Sequence, residues 1–385
     1  MPVEASEHDG VEFEMSKPEK LYIDGKDYFL WPYEEQTQMK HKVVTDYFKL
    51  WAMILGKYYT VSYFDCFGGC GAYLDKDTVY YGSPFLAAEA ASDLKENNGR
   101  KVELFVTEPD KENYDNLLKV KDELQGKLSV LPSITQKTFE EIINHEWTIK
   151  KYKNPKNPIF FFIDPFGYSL DFGDIKDIMR FQKNEMVINF MYDYISRFVN
   201  TTDNPKLEER YDRFFGCKEW RDARSLSGEE REKKLVDLYK RQLKKSAKFV
   251  FPYKLSFPDK DRTYYYLFHV TNDSNGCSIM KSVFAKRNLG RVEYLGKKSD
   301  ELTLFDLQEF KIGDIKSTLI SKYSGREMSF TEIVEDIIDE TLFIEKDIRT
   351  AIKEMKKEGS VSISPVTSKT GNGLQGDDMV SFKQK

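Results

Sequence analysis

The segment Ile159-Phe-Phe-Phe-Ile163 sets five apolar residues in a row, closed in front by Pro158 and behind by Asp164. A run that short and that uniformly apolar reads as a central strand of a sheet covered on both faces. Its neighbours fit that sheet. Apolar residues at helical spacing (Met39, Val43, Val44, Tyr47, Phe48, Trp51, Ile54, Leu55) predict a helix over 33–55 with Gly56 as its stop. Strand patterns at 58–67, 102–107 and 185–190 are interleaved with helical ones at 84–96 and 111–124. Such alternation implies β-α-β units and a mostly parallel sheet.

Composition supports a large globular chain. At roughly 150 residues per domain, 385 residues give two to three domains. Hydrophobic residues make up 40% and aromatics 14%, which excludes disorder and low-complexity architecture. Lys+Arg 59 against Asp+Glu 64 leaves a net charge of -5, so any nucleic-acid contact must come from a local patch. Four cysteines in so long a chain do not make a disulfide framework, and a reduced, cytoplasmic setting is expected. The acidic N-terminus lacks the pattern of a signal peptide, and no apolar stretch suits a bilayer, so a soluble protein without membrane contact is expected.

Three strands end in acids: Asp65, Glu108 and Asp164. In an open α/β sheet ligands bind beyond the carboxyl ends of the strands, so the three acids are expected to share one crevice. Gly69 and Gly71, after the first of these strands, let the backbone approach a ligand. Position 74 is Leu where a dinucleotide fingerprint wants a third glycine, so a phosphate cradle is not expected. An acid at the second strand end can accept both ribose hydroxyls. A nucleoside without pyrophosphate fits, and S-adenosylmethionine (SAM) is such a ligand. Asp65, Phe67, Gly69, Gly71, Tyr73 and Glu108 form the candidate cofactor set. Residues 72–82, with Tyr73, Tyr80 and Tyr81, read as a loop that closes over the cofactor as a lid, or as an inert surface insertion.

Glu35-Gln-Thr-Gln-Met-Lys-His41, Phe64-Asp-Cys-Phe-Gly-Gly-Cys-Gly-Ala-Tyr73, Gly82-Ser-Pro84, Phe105-Val-Thr-Glu108, Phe162-Ile-Asp-Pro-Phe-Gly167 and Ile188-Asn-Phe190 together resemble the three-Cys-motif partner protein (TcmP) family. The resemblance continues through Phe214-Phe-Gly216 and Tyr266-Leu-Phe-His-Val-Thr-Asn272 and covers most of residues 33–385. Family members usually carry proline where Cys70 stands and alanine where Gly68 stands. The resemblance implies a class I SAM-dependent methyltransferase-like (Rossmann-like) sheet with an antiparallel closing pair at 248–257 and 262–271, and a C-terminal winged-helix-like module. It also implies a partner protein bearing the three cysteines, which Cys66 and Cys70 here are not. The expected organisation is an N-terminal extension with a short hairpin (1–32), the methyltransferase-like domain (33–298) with a helical insertion at about 192–247, and a linker with the winged-helix-like module (299–385).

Exocyclic amino methyltransferases carry an Asp/Asn-Pro-Pro-Tyr/Phe motif at this strand end, where the acid accepts from the target amine and the aromatic stacks on the base. Asp164, Pro165 and Phe166 match it in part, with Gly167 closing the turn. The alternative is that Asp164 shapes the cofactor pocket while Phe166 packs. Tyr192, Asp193 and Arg197 follow the fifth strand on the substrate side. Residues 231–254 hold nine basic side chains against Glu232 and Asp237, and Lys240, Arg241, Lys244 and Lys245 are the candidate contacts to DNA or RNA, beside the active crevice. A solvated helix face is the competing account. In the C-terminal module the helix over 344–358 offers Lys346, Arg349, Lys353, Lys356 and Lys357, though a packing role is as well supported. Cys66 and Cys70 have no second pair at zinc spacing and the histidines are isolated, so no metal is expected. The function expected is SAM-dependent methylation of a nucleic-acid or nucleotide base; the alternative is a non-catalytic SAM- or nucleic-acid-binding subunit of a second enzyme.

Overall fold

The computed structural model describes residues 19–23, 26–154, 156–165, 167, 170–201, 204–257, 260–286, 312–341, 343–365 and 373–384. Strands β1 (Glu19–Ile23) and β2 (Lys26–Pro32) pair antiparallel, and the Asp24-Gly25 turn expected between them lies outside the described residues. Helix α1 (Glu35–Leu55) buries the predicted stripe Val43, Val44, Tyr47, Phe48, Trp51 and Ala52.

A seven-stranded sheet follows, built from β3 (Val61–Asp65), β6 (Val102–Thr107), β7 (Ser133–Thr135), β8 (Ile159–Ile163), β9 (Glu185–Phe190), β10 (Phe249–Phe257) and β11 (Lys260–Thr271). Its order is β10-β11-β9-β8-β3-β6-β7. β9, β8, β3, β6 and β7 run parallel, while β11 lies antiparallel to β9 and to β10. All five residues of β8 are buried, as its composition requires. Pro252, which cannot donate to a ladder, sits on the edge strand β10. This order, with one antiparallel strand inserted beside β9, is the class I methyltransferase-like fold.

One face of the sheet is covered by α1, α2 (Ser83–Asn98) and α10 (Ser274–Lys286). The other carries α4 (Phe139–Ile143), α6 (Phe172–Met179), α8 (Pro205–Phe215) and α9 (Gly228–Leu243), whose apolar sides join Phe161, Ile163, Phe190 and Phe268 in a second core. The stretch between β9 and β10 is helical throughout its named elements, with α7 (Tyr192–Phe198) and a 3-10 turn (Glu219–Ser225) completing it.

Residues 72–82, expected as a loop, form a hairpin of β4 (Ala72–Asp75) and β5 (Thr78–Tyr81). β4 pairs parallel to β2, giving a second sheet of order β1-β2-β4-β5 against α3 (Lys111–Leu124). The ends of the hairpin are tied by the Gly82 N–H, which donates to the Gly71 carbonyl at 2.8 Å.

At the C-terminus α11 (Ile312–Tyr323), β12 (Glu327–Ser329), α12 (Phe330–Glu340), α13 (Glu345–Lys357), β13 (Val361–Ser364) and β14 (Met379–Phe382) make a winged helix with a sheet of order β12-β14-β13. Ser329 caps α12 in a reciprocal box with Glu332. The module's core is continuous with that of the main sheet through Met280, Val283 and Phe284 of α10. Lys281 on α10 donates to the carbonyls of Ile338, Thr341 (2.7 Å) and Phe343 (3.3 Å) where α12 ends.

Candidate functional site

The strand order of the large sheet reverses between β3 and β8, and a crevice opens outside the carboxyl ends at such a point. Asp65 ends β3, Asp164 directly follows β8, and Glu108 directly follows β6. The three predicted acids are thus gathered at one sheet edge.

They are not equivalent. Asp65 has no exposed surface; it accepts from Tyr63 Oη (3.3 Å), from the Phe67 N–H (3.3 Å) and from Ser83 at the start of α2. Burial, with Asp164 nearby, pushes its pKa up to about 7 against those hydrogen bonds. Asp65 therefore ties the turn and α2 to β3 from below. Glu108 is 6% exposed and accepts from the Gly69 N–H (2.8 Å) and the Asp110 N–H (2.9 Å); burial raises its pKa. The turn it holds needs glycine, since Gly69 and Gly71 have φ of 59° and 76°, and a Cβ at Gly71 would lie 2.6 Å from Leu117 and 2.8 Å from Phe85.

Asp164 is held on both oxygens. Lys40 Nζ of α1 lies 2.5 Å from Oδ2, and Asn189 Nδ2 of β9 donates to Oδ1 at 2.6 Å. Pro165 is buried, and Phe166 lies outside the described residues. Gly167 has φ of 74°, and a Cβ there would meet the Tyr194 ring of α7 at 2.6 Å, which accounts for glycine at the position where the motif carries its aromatic residue. On the same α7, Arg197 pairs with Asp193 at 2.5 Å, and burial pushes the Tyr192 hydroxyl up to about 12.

An aromatic cluster faces the acids. Tyr73 stacks on Tyr33 (centroids 5.1 Å apart) and meets His41 edge-on (5.4 Å), and Tyr80 lies 5.3 Å from Tyr33. Tyr33 Oη and His41 Nδ1 are 3.1 Å apart. Burial and the Lys40 charge hold His41 well below its usual pKa, so it is neutral. Phe67 instead stacks on Phe139 at 5.9 Å.

Lys40, Asn189, Tyr33 and His41 are the site residues that the sequence reading did not assign. Lys40 and His41 sit in the first turns of α1, and Asp164, the partner of Lys40, is far away in sequence.

The four candidate nucleic-acid residues do not flank this crevice. α9 starts near the carboxyl edge, where Glu232 accepts from Thr263 (2.8 Å), and it ends at the opposite edge, where β10 begins. Lys240, Arg241, Lys244 and Lys245 belong to that far end. The register forces this, because β11 runs against β9 and β10 against β11, so β10 starts at the amino edge of the parallel strands. In the winged helix, Arg349 is turned inward onto Glu345, the Leu374 carbonyl and the Phe330 ring (4.4 Å), while Lys346, Lys353, Lys356 and Lys357 are exposed.

Among the described residues no helix is long and apolar enough to cross a membrane. A model of the GMT-like wHTH domain family matches residues 292–368. No curated protein matches the chain. Among solved structures the chain is similar to a protein from Legionella pneumophila (13% identity, TM-score 0.40, covering 67% of this chain and 95% of that one). It is also similar to spermidine synthase from Thermotoga maritima (12%, TM-score 0.37, 70% and 76%). A third is magnesium protoporphyrin IX methyltransferase from Synechocystis with bound SAM (9%, TM-score 0.32, 61% and 81%).

Proposed function

We propose that this chain is a SAM-dependent methyltransferase of the three-Cys-motif partner type, acting in the cytoplasm on a nucleic-acid or nucleotide base. The observation that carries the reading is the meeting, at the point where strand order reverses, of the left-handed glycine turn with Glu108 and Asp164. The residues present fit the cofactor: Glu108 accepts from the Gly69 N–H, the Asp110 N–H and the Asn113 side chain and keeps a remaining lone pair for a ribose hydroxyl, and the glycines at 69 and 71 put no Cβ between the turn and a ligand. Phe67 and Tyr73 border it. Bound there, SAM supplies an electrophilic methyl group.

Toward the acceptor, Asp164 is oriented by Asn189 and accepts from an exocyclic amine and Pro165 fixes the turn, while Phe166, expected from the sequence to stack on the base, lies outside the described residues. DNA or RNA and a three-Cys-motif protein are the partners of this reading. One observation favours a second reading, a non-catalytic SAM- or nucleic-acid-binding subunit: Lys40 already fills the place of a donor on Asp164.

Calorimetry with SAM, followed by S-adenosylhomocysteine release in the presence of DNA, RNA or cell extract, tests both. Binding with turnover supports the enzyme, and binding without turnover on any acceptor moves the assignment to the subunit. Absence of SAM binding removes the cofactor from either reading.

A further inference from the structure

A groove of about 490 Å³ opens where β10 begins and β11 ends. It is lined by Lys176 and Arg180 at the end of α6, by Lys244, Lys245 and Lys248 between α9 and β10, and by Asn272 after β11. Phe249 faces Thr271 and Val270 faces Met186 at the start of β9, so the groove lies at the amino edge of the parallel strands. Asp65 and Asp164 are at the other edge, one strand length away, roughly 15–20 Å at about 3.3 Å per residue.

What the five cations do there can be apportioned. The carboxyl ends of α6 and α9 converge on the groove, and helix carbonyls favour nearby cations. Lys244 belongs to such an end, and it donates to the Lys248 carbonyl. The acidic helix α12 takes part of two of the charges: Lys244 pairs with Asp339 at 2.9 Å, and Lys248 reaches Glu335 at 3.6 Å. Arg180 has a loose pair with Asp177 at 3.6 Å. Among the described residues Lys176 and Lys245 make no ion pair; Lys245 donates only to Gln242 (2.8 Å). Helix ends and α12 therefore leave a concave surface with cations turned to solvent, rimmed by carboxylates of the winged helix.

We propose that this groove holds the phosphate backbone of a nucleic acid, with Glu335 and Asp339 competing against the phosphates for Lys248 and Lys244. The cations come from two separate segments, the end of α6 and the stretch between α9 and β10, and are spread along the groove, as a run of backbone phosphates requires. A free nucleotide shares the phosphate chemistry but would be met by one converging cradle. The inference rests on the nucleic-acid reading of the acceptor. It adds that the substrate is a polymer that spans two edges of the sheet, held at one and read at the other.

The test uses the full chain and a fluorescent duplex of about 20 base pairs, with ATP and inorganic tripolyphosphate as competitors. If about four phosphates are engaged, log K falls against log salt with a slope between about -3 and -4. The combined Lys176→Glu, Arg180→Glu and Lys245→Glu variant should bind at least tenfold more weakly with a flatter slope, and Glu335→Gln should bind two- to threefold more tightly, both with unchanged SAM affinity. Duplex binding that ignores the triple substitution, or that equimolar ATP displaces, overturns the groove. Duplex binding without methylation leaves the groove standing and overturns the enzyme reading; methylation of duplex that survives the triple substitution at full efficiency does the reverse.

Discussion

Lys40 Nζ stands 2.5 Å from Asp164 Oδ2, with the two side chains only 10% and 18% exposed. The pair bridges α1 to the end of β8, elements that share no sequence proximity. Removing one partner of a buried pair leaves a charge without compensation, which costs about 3–5 kcal/mol. Lys40→Met should therefore destabilise the chain by about 3 kcal/mol in urea titration. The double variant Lys40→Met with Asp164→Asn should recover part of that loss, because the orphaned carboxylate is gone. Additive losses in the double-mutant cycle would deny the pair.

Glu108 governs the glycine turn through the Gly69 N–H at 2.8 Å, and in the proposed function it also meets the ribose. Hydrogen bonds to charged groups contribute about 1.5–3 kcal/mol. Glu108→Ala should weaken SAM binding at least tenfold by calorimetry; unchanged affinity would remove the ribose site from this strand end.

Asp65 supplies a pH dependence with a definite sign. Its pKa rises on folding from the ordinary carboxylate value to about 7, so the folded state binds more protons between those limits. The stability this group contributes is full below its unfolded pKa and is lost as the pH climbs through about 7. Asp65→Asn, which keeps one acceptor oxygen and removes the charge, should flatten the dependence. Denaturation midpoints for wild type and variant that run parallel from about pH 5 to pH 8 would show that Asp65 titrates normally.

How much of this was readable in the sequence follows from where each signal resides. Acid-ended apolar strands carry their signature locally, so β3, β6 and β8 and the gathering of Asp65, Glu108 and Asp164 were legible. The β4–β5 hairpin was not. Its turn is Lys76-Asp77, with Lys76 at φ 54°, and it lacks the Asn-Gly or Asp-Gly pair that announces such turns. β7 is three residues long with no apolar run to mark it. Lys40 and Asn189 were invisible as partners of Asp164 because an ion pair across three elements leaves no periodicity. The basic run at 231–254 was legible as charge, but its position was not, since only the antiparallel register of β10 and β11 sends its lysines to the far edge.

Lys281 joins the winged helix to the sheet domain by a different kind of contact. Its ammonium meets three carbonyls at the end of α12 and lies 4.6 Å over the Phe251 ring of β10, and burial lowers its pKa to about 8. Terminal helix carbonyls need partners, and Lys281 supplies one to those of Ile338, Thr341 and Phe343. Lys281→Met keeps the apolar stem and removes every donor, so the carbonyls of Ile338, Thr341 and Phe343 lose this shared partner. The expected cost is about 1.5–3 kcal/mol, set by charged-group hydrogen bonds. It should fall on the module. Hydrogen exchange should quicken across α12 and α13 while β8 and β9, buried at the centre of the sheet, keep their protection. Equal loosening of both regions would mean that the residue supports the whole core, and no change in α12 would mean that apolar packing alone, through Val283 and Phe284 against Ile337 and Ile338, holds the module in place.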